Sequence, residues 1–236
     1  MIALVTGFVP LPNHPRSEAE YRKLGERLRD LPVPKRDMAS LMVEMRLEHC
    51  WLHQFLRWRD KEVTWSVSDN PRKNTLEYLC VQAQKAEFLS EAARGFERAD
   101  IFVWVDFGIF HLPGMTEEII VDFMRRAKHE TMITIPGCWD RSYEYNDDHP
   151  CWRFCGGVMI VPRQFIFEFE AAWKMEYMRW INETDRLSWE VNTLARMEAR
   201  GACVLNWYKA DHNTEIFTRY RGRFHETENR DGIRSH

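Results

Sequence analysis

Short apolar runs alternate along the chain with longer stretches in which apolar residues recur every three or four positions. Ile2–Thr6, Ile101–Val105, Met132–Ile135 and Val158–Val161 are apolar with little alternation, which predicts strands buried on both faces of a mainly parallel sheet. Between them the period changes. Ser17, with Glu20 in capping-box register, opens a helix to about Arg29. Asn74 or Thr75 opens a long helix to about Ala93, with Tyr78, Val81, Lys85, Phe88 and Leu89 at helical spacing. Thr116 caps a helix to about Ala127, with Glu117 and Glu118 in its first turn. Pro162 starts a helix through Trp180, and Thr184–Arg200 reads as the next, with Gly201 as its C-cap. Ala202–Trp207 is a last strand. Val63–Val67 reads as a short strand, and residues 39–59 fit either period: Met42, Met45, Leu52, Phe55 and Leu56 suit a helix, Leu41–Val43 a strand.

This alternation of strand and helix argues one doubly wound α/β domain. It spans residues 1–223, with a polar tail over 224–236. No repeat, low-complexity segment or linker divides it. Met1–Phe8 is too short and too poor in basic residues for a leader or a span, and no other apolar run reaches membrane length. A cytoplasmic protein is expected.

Composition adds two points. Ten Trp and fourteen Phe among 236 residues allow a large core and an aromatic cleft for a flat ligand such as a base or a sugar ring. A net charge of −3 argues against nucleic acid as a partner. The six cysteines form no CxxC pair. Cys138, His149, Cys151 and Cys155 lie close together, but their spacing matches no common zinc pattern, and buried small residues are the better reading.

Four segments end strands in unusual ways. In Val5-Thr6-Gly7-Phe8 a glycine past the first strand would let a ligand approach the backbone. In Trp104-Val105-Asp106-Phe107-Gly108 a carboxylate directly follows a buried strand, at the edge where ligands of open α/β sheets sit, and can hold a divalent cation bridging a diphosphate. Capping of the next turn is the plainer account of Asp106. In Cys155-Gly156-Gly157-Val158 a glycine pair offers bare amides to a phosphate or hydroxyl. In Asp185-Arg186-Leu187-Ser188-Trp189-Glu190 two acids stand near a helix start, as a base, as hydroxyl-binding groups or simply as partners of the helix dipole.

Together these segments resemble the bacterial HtrL/YibB-like proteins, a family related to glycosyltransferases of the GT-A type. The resemblance rests on Val5-Thr6 followed by Arg16 and Tyr21, on Asn70-Pro71, on Gln84-Lys85, on Trp104-Val105-Asp106-Phe107-Gly108 and on Cys155-Gly156-Gly157, in that order up to about Tyr208. It implies a GT-A-like fold and transfer of a sugar from a nucleotide-diphosphate donor to an acceptor hydroxyl, in bacterial surface-polysaccharide or glycan synthesis. By implication Asp106 is the metal and nucleotide-sugar carboxylate, Gly156 and Gly157 with Trp189 form the acceptor side, and Glu190 or Asp185 is a candidate base. Thr6, Gly7, Arg16 and Lys85 join Asp106 on the donor side, where the two cations would offset diphosphate charge. Typical GT-A enzymes carry Asp-any-Asp; here Gly108 fills the second acidic position. A manganese or magnesium ion on Asp106 would then need Asp211 or His212 as further ligands. Two other functions stay open: a GT-A-like domain that binds a saccharide or a partner without chemistry, and a phage-type transferase that places sugar on nucleic acid.

Overall fold

The computed structural model describes residues 1–11, 17–32, 36–65, 73–143 and 146–222. Its strands are β1 (Ile2–Phe8), β2 (Met38–Glu44), β3 (Thr64–Trp65), β4 (Ile101–Val105), β5 (Ile133–Gly137), β6 (Val158–Pro162), β7 (Arg186–Leu187) and β8 (Leu205–Lys209). Its helices are α1 (Glu18–Arg29), α2 (Trp51–Arg57), α3 (Leu76–Ala83), α4 (Lys85–Gly95), α5 (Glu117–Ala127), α6 (Ile166–Thr184), α7 (Glu190–Ala199) and α8 (Glu215–Thr218).

One six-stranded sheet runs β2-β1-β4-β6-β5-β8, and β3 pairs with β7 in a small separate ribbon. All four apolar runs lie in the large sheet. Every residue of β1, β4, β5 and β6 is buried, as the continuous apolar pattern requires. Side chains divide by parity between two cores. Ala3, Val5, Phe102, Trp104, Met159 and Val161 meet helices α2, α3, α4, α6 and α7; Ile2, Leu4, Val103, Val105, Val158 and Ile160 meet α1, α5 and α8.

The caps at Ser17 and Thr116 form as the sequence predicts, Ser17 as a full capping box. Residues 39–59 hold both periods in turn, β2 and then α2. Three expectations need correction. The long helix from Thr75 is two helices joined at Gln84. Two indoles, of Trp51 and Trp173, donate to the Ala83 carbonyl at 3.0 and 2.9 Å, and such insertions into the helical ladder break it. The helix expected over Thr184–Arg200 is also two elements. Thr184 ends α6, Asp185 takes the left-handed conformation (φ 53°) that terminates it, and α7 starts only at Glu190. Finally, β6 runs antiparallel to both neighbours. The chain leaves β5 at the carboxyl edge of the sheet and β6 starts from that same edge, so β6 runs back. Asn70-Pro71 and the polar tail lie outside the described residues.

Candidate active site at the carboxyl edge of the sheet

The reversal of β6 builds the site. Val105 pairs with Val158, so the residue after β4 meets the residue before β6, and the Asp106 amide donates to the Gly157 carbonyl at 3.0 Å. The break at Gln84 places Lys85 at the start of α4, beneath the same edge. Its ammonium lies 2.9 Å from Asp106 Oδ1, 3.0 Å from Glu190 Oε1 and 2.9 Å from the Gly156 carbonyl oxygen. An ammonium has three hydrogens, so these three acceptors saturate it. The Lys85 side chain is 2% exposed and that of Glu190 9%, against 34% for Asp106. Burial alone would lower the Lys85 pKa; the charges of Asp106 and Glu190 outweigh it and raise the value above that of an ordinary lysine.

Each carboxylate keeps one oxygen without a hydrogen bond from the described residues. Asp106 Oδ1 also accepts from the Trp104 indole at 2.8 Å, while its Oδ2 takes no hydrogen bond from the described residues. Glu190 Oε2 is buried and has no hydrogen-bond partner among the described residues. Both residues line a pocket of about 610 Å³. Its walls are aromatic: Phe8 stacked on Phe107 (4.6 Å between centroids), Tyr21, Tyr78, Trp104, Trp152 and Trp189. Lys73, over the rings of Tyr78 and Trp189, and the two histidines His111 and His212 add polar groups. Loss of water around His212 holds its pKa below the usual histidine range, against a partial opposing effect of Asp106 and Glu190. The Tyr78 phenol is pushed well up, first by burial and then by Glu190 and Asp106, and stays protonated.

Of the residues singled out from sequence, Gly7, Lys85, Asp106, Gly156, Gly157, Trp189, Glu190 and His212 all border this pocket. Two glycines act differently from the expectation. A Cβ on Gly7 would lie 2.2 Å from the Phe88 ring, so Gly7 makes room for a packed side chain inside β1. A Cβ on Gly156 would lie 2.5 Å from Glu190 Oε1, so Gly156 makes room for the carboxylate. The carbonyls of both paired glycines are used within the protein.

Others fall elsewhere. Thr6 is fully buried in β1 and does not line the pocket. Asp185 belongs to the end of α6, where it pairs with Arg59 and Lys61. Asp211 is exposed on a turn, its amide facing Glu215. Arg16 lies outside the described residues. Lys85 borders the pocket but is saturated by protein acceptors, so it offers a diphosphate no hydrogen bond. Sequence reasoning missed Lys73, Tyr78 as a wall and Trp152. Lys73 and Trp152 sit in loops, where no periodicity marks a residue; Tyr78 was visible only as part of a helical face.

The residues do not fit a divalent ion as a resident group. Among the described residues no three of His, Cys, Asp and Glu converge as metal ligands. Asp211 does not line the pocket, and Asp106 already shares one oxygen with an ammonium and an indole. The cysteine group makes no zinc site either: Cys138 and Cys155 approach to 3.7 Å between sulfurs as thiols.

No protein-family model matches the chain, and no curated protein matches it in sequence. Its fold does have relatives among solved structures. A glycosyltransferase involved in the glycosylation of the major capsid of PBCV-1 superposes with a TM-score of 0.51 at 13% identity, over 89% of this chain and 81% of that one. The 4-diphosphocytidyl-2C-methyl-D-erythritol synthase of Anaerococcus prevotii matches with a TM-score of 0.42 at 10% identity, over 92% and 91%. The chain therefore has a GT-A-like fold, that of the nucleotide-diphospho-sugar transferases. No helix among the described residues is long and apolar enough to cross a membrane.

Proposed function

We propose that the pocket takes a nucleotide-diphosphate sugar and passes its sugar to an acceptor hydroxyl. The observation that carries this is the pair of carboxylates Asp106 and Glu190, side by side on one ammonium and bordering an aromatic pocket at the carboxyl edge of a GT-A-like sheet. Such a pocket suits a base and a sugar ring stacked on apolar walls, with carboxylates to accept from hydroxyls. In this reading Asp106 Oδ2 accepts from hydroxyls of the donor. Glu190 accepts from the attacking hydroxyl on the acceptor side, next to Gly156 and Trp189. The acceptor oxygen forms the new bond to the anomeric carbon. The carbon–phosphate oxygen bond breaks, and the nucleoside diphosphate leaves with the electron pair. The hydroxyl proton passes to the Glu190 carboxylate or to water. Lys73 is the pocket cation placed to meet the diphosphate. An HtrL/YibB-like role in glycan synthesis in the bacterial cytoplasm is consistent with this chemistry and goes beyond what the fold alone carries.

The test is a thermal-shift screen of nucleotide sugars, since ligands that bind only the native state raise its melting temperature. Hits are then assayed for release of nucleoside diphosphate with and without saccharide acceptors. Failure of every nucleotide and nucleotide sugar to shift the transition would remove this reading. Binding without turnover, hydrolysis included, would favour a second one: a GT-A-like binding module. The absence of a second acid at Gly108 is the feature that favours it.

A further inference from the structure

We infer that Lys85 holds the place of a divalent cation in this pocket, so that substrate binds without one. The expectation from sequence was a metal on Asp106. What stands there is an ammonium, 2.9 Å from Asp106 and 3.0 Å from Glu190, with the Gly156 carbonyl as its third acceptor. These are the tasks a bound cation performs in such a site: it compensates two carboxylates that would otherwise repel each other, and it fixes their oxygens toward the ligand. Lys85 does both from inside the protein, on the first residue of a helix whose next turn is anchored by Phe88 stacked on Trp104 (5.7 Å, planes 4° apart). Trp104 in turn donates to Asp106. The charge is thus permanent and geometrically fixed.

The arrangement also works against a metal. An ion joining Asp106 would stand next to a buried ammonium that three protein acceptors hold in place. Like charges in a low-dielectric setting repel strongly. Lys85 is a positioning residue: it contacts both carboxylates and reaches no ligand itself.

The part of this concerning nucleotide rests on the donor proposed above; the part concerning metal does not. Both are tested on the full chain. First, Mn²⁺ alone is titrated into wild type and into Asp106→Asn, with free ion read by electron paramagnetic resonance. Either no binding, or binding that Asp106→Asn leaves unchanged, upholds the inference. Binding to wild type that Asp106→Asn abolishes overturns it. Second, nucleoside diphosphates and their sugars are titrated in EDTA and in Mn²⁺. Affinities within about twofold of each other are expected, and a gain of about tenfold or more with Mn²⁺ overturns the inference. If no nucleotide binds under either condition, the donor reading falls, and the first experiment still decides the role of Lys85. Third, Lys85→Met frees both carboxylates from their ammonium. Mn²⁺ should then raise the melting temperature of Lys85→Met and leave that of wild type and of Lys85→Met/Asp106→Asn unchanged. A folded Lys85→Met that ignores Mn²⁺ counts against the exchange of one cation for the other. Should that variant not fold, the wild-type titrations decide.

Discussion

Helix α7 carries two buried charge networks that look alike in burial and differ in what they leave open. At its start, Glu190 meets Lys85 and, through it, Asp106. Further along, Arg196 meets Asp147, Glu176, Ser188 and Thr193, with its guanidinium over the Trp180 ring at 4.4 Å. Lys85 and Arg196 are equally hidden, at 2% and 4% side-chain exposure. In the second network cations and carboxylates are matched: Glu176 draws on Arg179, Arg196 and Arg200, Arg196 also pairs with Asp147, and Arg200 with Glu183. None of these residues borders the pocket. In the first network one cation serves two carboxylates, and both carboxylate residues border the pocket. Burial and pairing therefore do not separate a structural ion cluster from a site. Position on the wall of a cavity does.

The comparison can be broken from either side. The largest stability loss should come from the closed network. Arg196→Met leaves Glu176 and Asp147 without their buried partner, and removing one member of such a pair costs about 3–5 kcal/mol. Urea unfolding should show that loss, while the folded fraction keeps its ligand affinity. A variant that instead lost binding with unchanged stability would reverse the assignment. Gly156→Ala comes next. Its methyl must push Glu190 aside, at a cost of about 1–3 kcal/mol for an overpacked site, and turnover should fail with it. A folded Gly156→Ala with full activity would free Glu190 of any role.

Asp106→Asn should weaken donor binding by about tenfold or more, with loss of about 1–2 kcal/mol of stability for one charged hydrogen bond at a partly exposed residue. That stability term follows from the Lys85 contact, which the sequence could not show. Equal binding in wild type and Asp106→Asn would remove the residue from the site. A finer test concerns the thiols. A Cys138 thiolate can accept from the Cys155 thiol beside it, which draws the Cys138 pKa down to about 7, whereas burial pushes Cys50 up to about 12 and Cys203 to about 11. Alkylation at Cys138 should accelerate as pH rises through about 7, ahead of the other cysteines, by mass spectrometry of the labelled chain. The smallest effect is Asp185→Asn. Asp185 is more than a third exposed, with Lys61 at the surface and Arg59 part-buried, so the pairing is worth about 1 kcal/mol, and asparagine tolerates the left-handed backbone there. Stability and turnover should both stay near wild type.

Much of the scaffold was legible because it follows from local rules. The strand at Ile101–Val105 and the caps at Ser17 and Thr116 are set by apolar runs and side-chain oxygens a few residues from their targets. What failed depended on distant partners. Nothing near Ala83 announces that Trp51 and Trp173 will take its carbonyl, yet that break is what starts α4 at Lys85. Asp185 and Glu190, five residues apart, looked like one helix start; the left-handed turn at Asp185 sends them to opposite ends of two helices. Asp106 and the glycine pair were legible as strand-end features. Their junction was not, because it depends on the antiparallel run of β6, and a buried apolar run carries no mark of direction. Lys85 was legible as a cation on a helix; that it is saturated by protein acceptors is a tertiary fact.

The ammonium that joins Asp106 to Glu190 also has a consequence for the order of folding. Lys85 and Glu190 are 105 residues apart in the chain, and Lys85 and Gly156 are 71 apart. Closing loops of that size is entropically costly and comes slowly. Until α7 docks, Lys85 lacks one of its three acceptors, so the pocket is completed only when α7 has been laid against α4. An intermediate holding β1, β2 and β4 would lack the paired carboxylates, and a ligand that needs both of them would recognise the finished chain alone.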